Sequence, residues 1–121
     1  ALNEHSKSVK GSRILVLGIA YKKDINDVRE SPALDILRIL ERKGAQLSYN
    51  DPFIPSCIED PLNLLSVDLT DEVLESMDCV ILVTNHSDYD YQRFVEHSKI
   101  FIDTRNVTKD IQAAEGVIIK L

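Results

Sequence analysis

Short apolar runs alternate with amphipathic segments along this chain of 121 residues. The runs Arg13 to Ile19 and Cys79 to Thr84 are nearly continuous, which is typical of strands buried on both faces of a sheet. Three shorter runs predict further strands, at residues 45–49, 100–103 and 116–120. Residues 51–66 contain Pro52, Pro55 and Pro61 and predict a loop.

Helix signals lie between the predicted strands. Ser31 and Pro32 form a good helix opening, since serine can cap free backbone N–H groups and proline fits the first turn. The helix that follows has an apolar face and ends at Gly44. Two shorter helices are expected, at 72–77 behind Thr70 or Asp71 and at 89–96. We therefore predict an α/β fold of the Rossmann-like, doubly wound type, with a mainly parallel sheet and helices on both faces.

Composition excludes several functional classes. Hydrophobic residues make up 44% of the chain, as in a globular domain with a core. The net charge of −6 argues against sequence-independent nucleic-acid binding and against an anionic membrane surface, because both require basic surfaces. No apolar run approaches the roughly 18 residues of a membrane span. The polar start, Ala1 to Lys10, indicates no signal peptide, so we expect a cytoplasmic protein.

The cysteines and histidines show no metal or catalytic pattern. Cys57 and Cys79 are expected to be free thiols, with Cys79 in the core and Cys57 an incidental thiol in the proline-containing loop. His5, His86 and His97 are not spaced for a metal site or a triad, and we expect each to be structural or exposed.

The loop after the first strand is the natural ligand loop of such a fold. It contains Gly18 but lacks the three glycines of a dinucleotide fingerprint, so no self-contained NAD site is expected. Asp51, after the second strand, could mimic a ribose-binding acid, but an aspartate before proline is more typical of a turn.

The same loop is rich in charged side chains. Lys22, Lys23 and Arg29 precede the helix opening, where cations and the N–H groups at 31–33 would suit a phosphate. The alternative is that these cations are solvated and paired with neighbouring acids, namely Asp24, Asp27 and Glu30. The loop alone leaves both interpretations open.

The string GIAYKKDINDVRESP, from Gly18 to Pro32, resembles the C-terminal domain signature of the UDP-glucose/GDP-mannose dehydrogenases. The resemblance covers nearly the whole chain, with further matches at Gly44-Ala45, Tyr49–Pro52, Thr84 with His86, and Asp103–Asn106. It implies a part in oxidising the C6 alcohol of a nucleotide sugar to a carboxylate in two NAD-dependent steps. In that family an N-terminal domain holds most of the NAD, a central helix mediates dimerisation, and the C-terminal domain binds the nucleotide diphosphate.

The resemblance also implies roles for single residues. Tyr21, Lys22 and Arg105 match substrate contacts, and Arg29 matches an arginine that reaches the NAD. For each there is a simpler alternative: packing under the loop for Tyr21, solvated charge for Lys22 and Arg105, and an ion pair with a loop acid for Arg29. The family's glycine-rich segment ending in a catalytic cysteine is absent, so we expect no catalytic residue here and an inactive chain.

The resulting hypothesis is a UDP-sugar-binding domain, residues 11–121, preceded at 1–10 by the end of the connecting helix. The sequence is more similar to the bacterial UDP-N-acetylhexosamine and UDP-glucose branches than to the GDP-mannose branch. The whole enzyme is then expected to be a homodimer or larger, with its own N-terminal domain as a partner and a role in polysaccharide synthesis. Two alternatives are a stand-alone nucleotide-binding or regulatory module and a purely structural domain.

Overall fold

The described residues form seven strands and three helices. The computed structural model describes residues 9–22, 24, 27–28, 31–111 and 117–120. Its strands are β1 (Arg13–Leu17), β2 (Gln46–Asn50), β3 (Ser56–Glu59), β4 (Leu62–Leu65), β5 (Cys79–Leu82), β6 (Phe101–Asp103) and β7 (Ile118–Lys120). Its helices are α1 (Pro32–Arg42), α2 (Asp71–Ser76) and α3 (Tyr91–His97). The predicted connecting helix falls mostly outside the described residues and stays a prediction.

Five strands form one parallel sheet in the order β2-β1-β5-β6-β7. Ile14 of β1 lies opposite Leu47 of β2 on one side and opposite Cys79 of β5 on the other. The chain leaves β1 toward β2 and later returns to the opposite side of β1, so the strand order reverses between β1 and β5. In such sheets a crevice opens at this reversal, beyond the carboxyl ends of the strands.

Helices cover both faces of the sheet, which confirms the predicted doubly wound architecture. Val16 of β1 packs on one face in a cluster with Leu34 and Leu37 of α1. Leu15 and its neighbour Leu17 point to the opposite face, where α2 and α3 supply the partners. Side chains alternate across a strand, so a continuous apolar run serves two cores at once.

The helix openings follow the sequence signals. The Ser31 hydroxyl accepts a hydrogen bond from the backbone N–H of Ala33, and Pro32 begins α1 as predicted. Thr70 caps α2 by accepting from Val73. The third helix begins later than predicted because Asp90 takes the cap position. No helix in the described ranges has both the length and the apolar character needed to cross a membrane.

The predicted loop at 51–66 was wrong in part. Strands β3 and β4 form an antiparallel hairpin there, with Cys57 opposite Leu64. Cys57 is buried against the α1 face of the sheet, so it is a core thiol rather than an incidental loop residue. Burial raises the pKa of Cys57, and burial also raises the pKa of Cys79 to about 12, which makes both thiols poor nucleophiles. Prolines next to these short strands favoured a loop in the sequence analysis, so the alternating pattern of the hairpin was not recognised.

Gly18, directly after β1, allows the ends of β1 and β5 to approach each other closely. Its φ of +79° lies in the left-handed region, and an added Cβ would overlap the carbonyl oxygen of Thr84 and lie 2.7 Å from the Thr84 Cβ. Gly11 has a similar φ of +80°, but an added Cβ there would meet no atom within 4 Å. The two glycines therefore share backbone strain and differ in the space around them.

We expect Gly11→Ala to lower the free energy of unfolding by about 1–2 kcal/mol, the usual cost of a left-handed non-glycine residue. Gly18→Ala should cost more, roughly 3 kcal/mol or above, because the methyl group must also push apart two strand ends. Urea denaturation of both variants measures the difference. Equal losses would show that the approach of Gly18 to Thr84 does not constrain the fold.

Candidate functional site

Three loops meet at the carboxyl edge of the sheet, next to the point where the strand order reverses. Tyr21 and Lys22 follow β1, residues 83–90 follow β5, and Arg105 follows β6. Because β5 lies between β1 and β6, the ends of those two strands are about 10 Å apart, twice the usual strand spacing. The structure thus places three of the predicted site residues at one edge. Arg29, the predicted cofactor contact, lies outside the described residues.

Tyr21 and Lys22 project from the loop after β1. Tyr21 is 46% exposed. The Lys22 ammonium lies 5.8 Å from the centroid of the Tyr21 ring. No carboxylate of the described residues forms an ion pair with Lys22. An exposed aromatic face and a cation thus stand side by side.

The start of the same loop is bonded to the buried carboxylate of Asp51, which is 2% exposed. Its Oδ2 atom accepts hydrogen bonds from the backbone N–H groups of Ile19 and Ala20, at 2.8 and 2.9 Å. Its Oδ1 atom accepts from the N–H of Phe53 at 2.8 Å, which is the aspartate turn expected at this position. Asp51 therefore forms its predicted turn and also holds the start of the loop after β1.

His86 joins the same network and is fully buried. Its Nδ1 atom accepts a hydrogen bond of 2.7 Å from the backbone N–H of Asp24. Since that nitrogen must present a lone pair, the ring proton lies on Nε2, which donates to Asp51 Oδ2 over 2.8 Å. The hydrogen bonds thus assign the neutral Nε2–H tautomer to His86.

The loop after β5 is bonded to both of its neighbours. Ser87 donates from its backbone N–H and from its hydroxyl to the Asp24 carboxylate, at 2.9 and 2.6 Å. On the other side, the Asn85 amide oxygen accepts from Arg105 Nε at 3.3 Å. These contacts link the loop that bears Lys22 to the loop that bears Arg105.

The loop that bears Arg105 is folded around a second buried carboxylate, Asp103. One oxygen accepts from the Arg105 backbone N–H at 2.9 Å, and the other accepts from the Thr108 N–H and hydroxyl at 3.0 and 2.6 Å. Burial alone would raise the pKa of Asp103. The hydrogen bonds from the Thr108 hydroxyl and from backbone N–H groups outweigh burial, so the pKa lies below its ordinary value of 3.8.

The described residues do not fit a dinucleotide cradle. In such a cradle, backbone N–H groups of the first loop and of the helix opening hold the pyrophosphate. Here the N–H groups of Ile19 and Ala20 are bonded to Asp51. Asp51 itself points inward rather than toward a ribose. This arrangement agrees with the missing glycine fingerprint.

One of the two interpretations of this loop used the N–H groups at 31–33 to hold a phosphate, and the structure shows these groups bonded within the chain. The Ser31 N–H donates to Val28, and the Ala33 N–H donates to the Ser31 hydroxyl. Pro32 has no N–H group. Of the described residues, Ser31, Pro32 and Ala33 therefore offer a phosphate no unbonded N–H group.

Comparison with known proteins places this chain in a family. Residues 15–110 match the sequence pattern of the UDP-glucose/GDP-mannose dehydrogenase family, UDP binding domain. This chain belongs to the UDP-glucose/GDP-mannose dehydrogenase family. The resemblance found at the loop after β1 is thereby confirmed, and the chain corresponds to the family's C-terminal, UDP-binding domain.

Relatives within the family are longer than this chain. A UDP-glucose 6-dehydrogenase of Rickettsia bellii is 36% identical over 85% of this chain, and the match covers 26% of that protein. A UDP-N-acetyl-D-mannosamine dehydrogenase of Methanococcus maripaludis is 31% identical over 88% of this chain and 26% of its own length. The solved structure of a UDP-D-ManNAc dehydrogenase from Pyrococcus horikoshii is similar in fold, with a TM-score of 0.76, 24% identity, and coverage of 98% of this chain and 27% of that one. The chain thus spans about a quarter of its relatives.

Sequence reasoning assigned no part in the site to Asp51, His86 or Asp103. We expected His86 to be structural or exposed, and it is a buried structural residue that also bonds the loop after β1. One signal was present: Asp51 and His86 follow β2 and β5, and Asp103 ends β6, so all three lie at the carboxyl ends of parallel strands. The tertiary hydrogen bonds themselves have no local sequence pattern.

We expect Thr108→Val to raise the pKa of Asp103 toward 3.8, because it removes the hydroxyl that stabilises the charged form. Thr108→Ser keeps the hydroxyl and should leave the pKa low. Stability from Asp103 is fully present above the unfolded pKa near 3.8 and is lost as pH falls through the lower folded pKa. Carboxyl carbon NMR shifts during acid titration measure both variants; identical curves would exclude this role for the hydroxyl.

Proposed function

We propose that this chain binds the nucleotide diphosphate part of a UDP-sugar at the carboxyl edge of its sheet. Lys22 and Arg105 would hold the diphosphate, and the exposed ring of Tyr21 would lie against the nucleoside or sugar. The observation that supports this proposal is the position of two exposed cationic side chains on the loops after β1 and β6, which lie on either side of the loop after β5 and next to the reversal of strand order. Membership of a family whose domain is described as UDP binding points the same way.

The chemistry of the two cations suits a diphosphate. Arg105 presents a planar fork of donors for paired phosphate oxygens, and Asn85 already bonds one of its N–H groups. Lys22 is a compact positive charge on a flexible stem, which suits a single oxygen. Since the chain has a net charge of −6, attraction for a phosphate must come from such local cations and not from the overall field.

The whole protein is proposed to be an NAD-dependent oxidoreductase that converts the C6 alcohol of a UDP-sugar to a carboxylate. NAD supplies the hydride acceptor when bound, mainly by an N-terminal domain, and Arg29 would reach it from this one. The described residues contribute binding energy away from the reacting carbon, which orients the sugar for reaction. We further propose a cytoplasmic enzyme of polysaccharide synthesis, a homodimer or larger, in which residues 1–10 end the connecting helix.

Binding of UDP to the chain tests this proposal. UDP should shift the backbone amide signals of Tyr21, Lys22 and residues 103–106 in NMR spectra, whereas NAD alone should shift them little. Lys22→Ala and Arg105→Ala should each weaken UDP binding about tenfold or more, because a hydrogen bond to a charged group is worth about 1.5–3 kcal/mol. Isothermal titration calorimetry gives the affinities.

Lys99→Ala is the matched control for these variants. Lys99 is exposed and lies just before β6, at the opposite edge of the sheet from Arg105. It removes the same charge without touching the proposed site, so UDP affinity should stay within about twofold of the original. An equal loss in all three variants would mean that UDP responds only to net charge. A chain that binds NAD and not UDP would contradict the proposal outright.

A further inference from the structure

The backbone on either side of the Tyr21–Lys22 pair is hydrogen-bonded to buried side chains. On the side before the pair, the N–H groups of Ile19 and Ala20 donate to Asp51 Oδ2. On the side after it, the N–H of Asp24 donates to His86 Nδ1. Asp51 and His86 are themselves joined by a buried hydrogen bond of 2.8 Å. Asp51 and His86, joined by this hydrogen bond, therefore fix the backbone before and after the exposed pair.

The imidazole of His86 has a fixed orientation. Its ring centroid lies 4.8 Å from that of Phe53 and 5.5 Å from that of Tyr89, and the ring is fully buried. The Tyr91 hydroxyl donates to the His86 backbone carbonyl at 2.8 Å, which fixes the main chain as well. As a result, the acceptor atom Nδ1 stays directed at the backbone N–H of Asp24.

Asp24 adopts a backbone conformation that needs such support. Its φ is +61°, in the left-handed region, where residues other than glycine are strained. The His86 acceptor bonds its N–H, and Ser87 bonds its carboxylate from the same loop after β5. Aspartate tolerates the left-handed region better than most residues, and these bonds hold it there.

We propose that His86 and Asp51 are positioning residues, which hold the Tyr21–Lys22 segment in the conformation that binds the UDP-sugar. The essential element is the lone pair of His86 Nδ1, which accepts from the Asp24 N–H. It is available because the ring proton lies on Nε2, where it is donated to Asp51. This inference rests on the proposed function, because the segment matters only if it meets the ligand. When a ligand binds only one conformation, its apparent affinity is proportional to the fraction of chains in that conformation.

Two conservative substitutions separate the two ends of the imidazole. In His86→Asn the amide oxygen can take the place of Nδ1 and accept from Asp24, while the donor to Asp51 is lost. In His86→Gln the amide nitrogen can take the place of Nε2 and donate to Asp51, while the acceptor for Asp24 is lost. Each variant loses one buried hydrogen bond, so similar losses of stability are expected.

The two variants should differ in UDP affinity. We expect His86→Gln to bind UDP about tenfold more weakly than the original chain, and His86→Asn to lose no more than about threefold. Amide hydrogen exchange in the ligand-free chain should show the cause: the Asp24 amide loses its protection in His86→Gln and keeps it in His86→Asn. The amides of Ile19 and Ala20 should stay protected in both, because Asp51 still accepts from them.

The unsubstituted chain provides a test that does not depend on whether the variants fold. Nitrogen NMR of the His86 ring should show the proton on Nε2 and a hydrogen-bonded, unprotonated Nδ1. A ring protonated on Nδ1, or an Asp24 amide that exchanges as freely as an exposed one, would overturn the proposal. Equal UDP affinities for the glutamine and asparagine variants would overturn it as well, leaving His86 a structural residue only.

These outcomes are distinct from failure of the proposed function. If the original chain does not bind UDP, the proposed function is rejected, and the positioning role is rejected with it. If the original chain binds UDP and Lys22→Ala weakens the binding, the function stands. In that case, identical behaviour of the two His86 variants rejects the positioning role alone.

Discussion

A buried carboxylate must find hydrogen-bond donors, because removing it from water costs several kcal/mol unless it is bonded. Asp51 directly follows β2, at the carboxyl edge of the sheet, and is 2% exposed. It bonds the N–H groups of Ile19 and Ala20 from the loop after β1 and the His86 ring from the loop after β5. Three segments that are distant in sequence are thereby fixed around one charge.

The close contact between the strand ends makes this arrangement possible. Gly18 lies against Thr84, and the Thr84 hydroxyl donates to the Ala20 carbonyl at 2.7 Å. With a larger residue at position 18, the loops after β1 and β5 could not approach as closely, and the His86 ring would lie farther from Asp51. The same glycine that starts the loop in a dinucleotide site therefore serves here to bring a histidine and an aspartate together.

The sequence predicts the fold well and the site only in outline. Continuous apolar runs, the Ser31-Pro32 opening and Gly44 determine most elements, because each is a local preference that the parallel sheet reinforces. The hairpin at β3 and β4 was missed because its strands are short and lie between prolines, so its stability comes from packing of Cys57 and Leu62 against the core. The positions of Tyr21, Lys22 and Arg105 at one edge follow from the alternation of strands and helices. The partners of Asp51 and Asp103 could not be predicted, since a side chain that bonds a backbone N–H places no requirement on the residue that supplies it.

Two acidic side chains, Asp51 and Asp103, are thus buried at an edge of the sheet that is proposed to bind an anion. Asp51 and Asp103 both accept several N–H groups, so much of their charge is compensated by donors fixed in the loops. Lys22 and Arg105 are exposed on the outer side of those same loops. A buried anion that orders a loop and an exposed cation that the loop presents need not oppose each other, because the first acts through the backbone and the second through the side chain. In an acidic domain, this separation between buried acids and exposed bases is consistent with the proposed phosphate-binding role of Lys22 and Arg105.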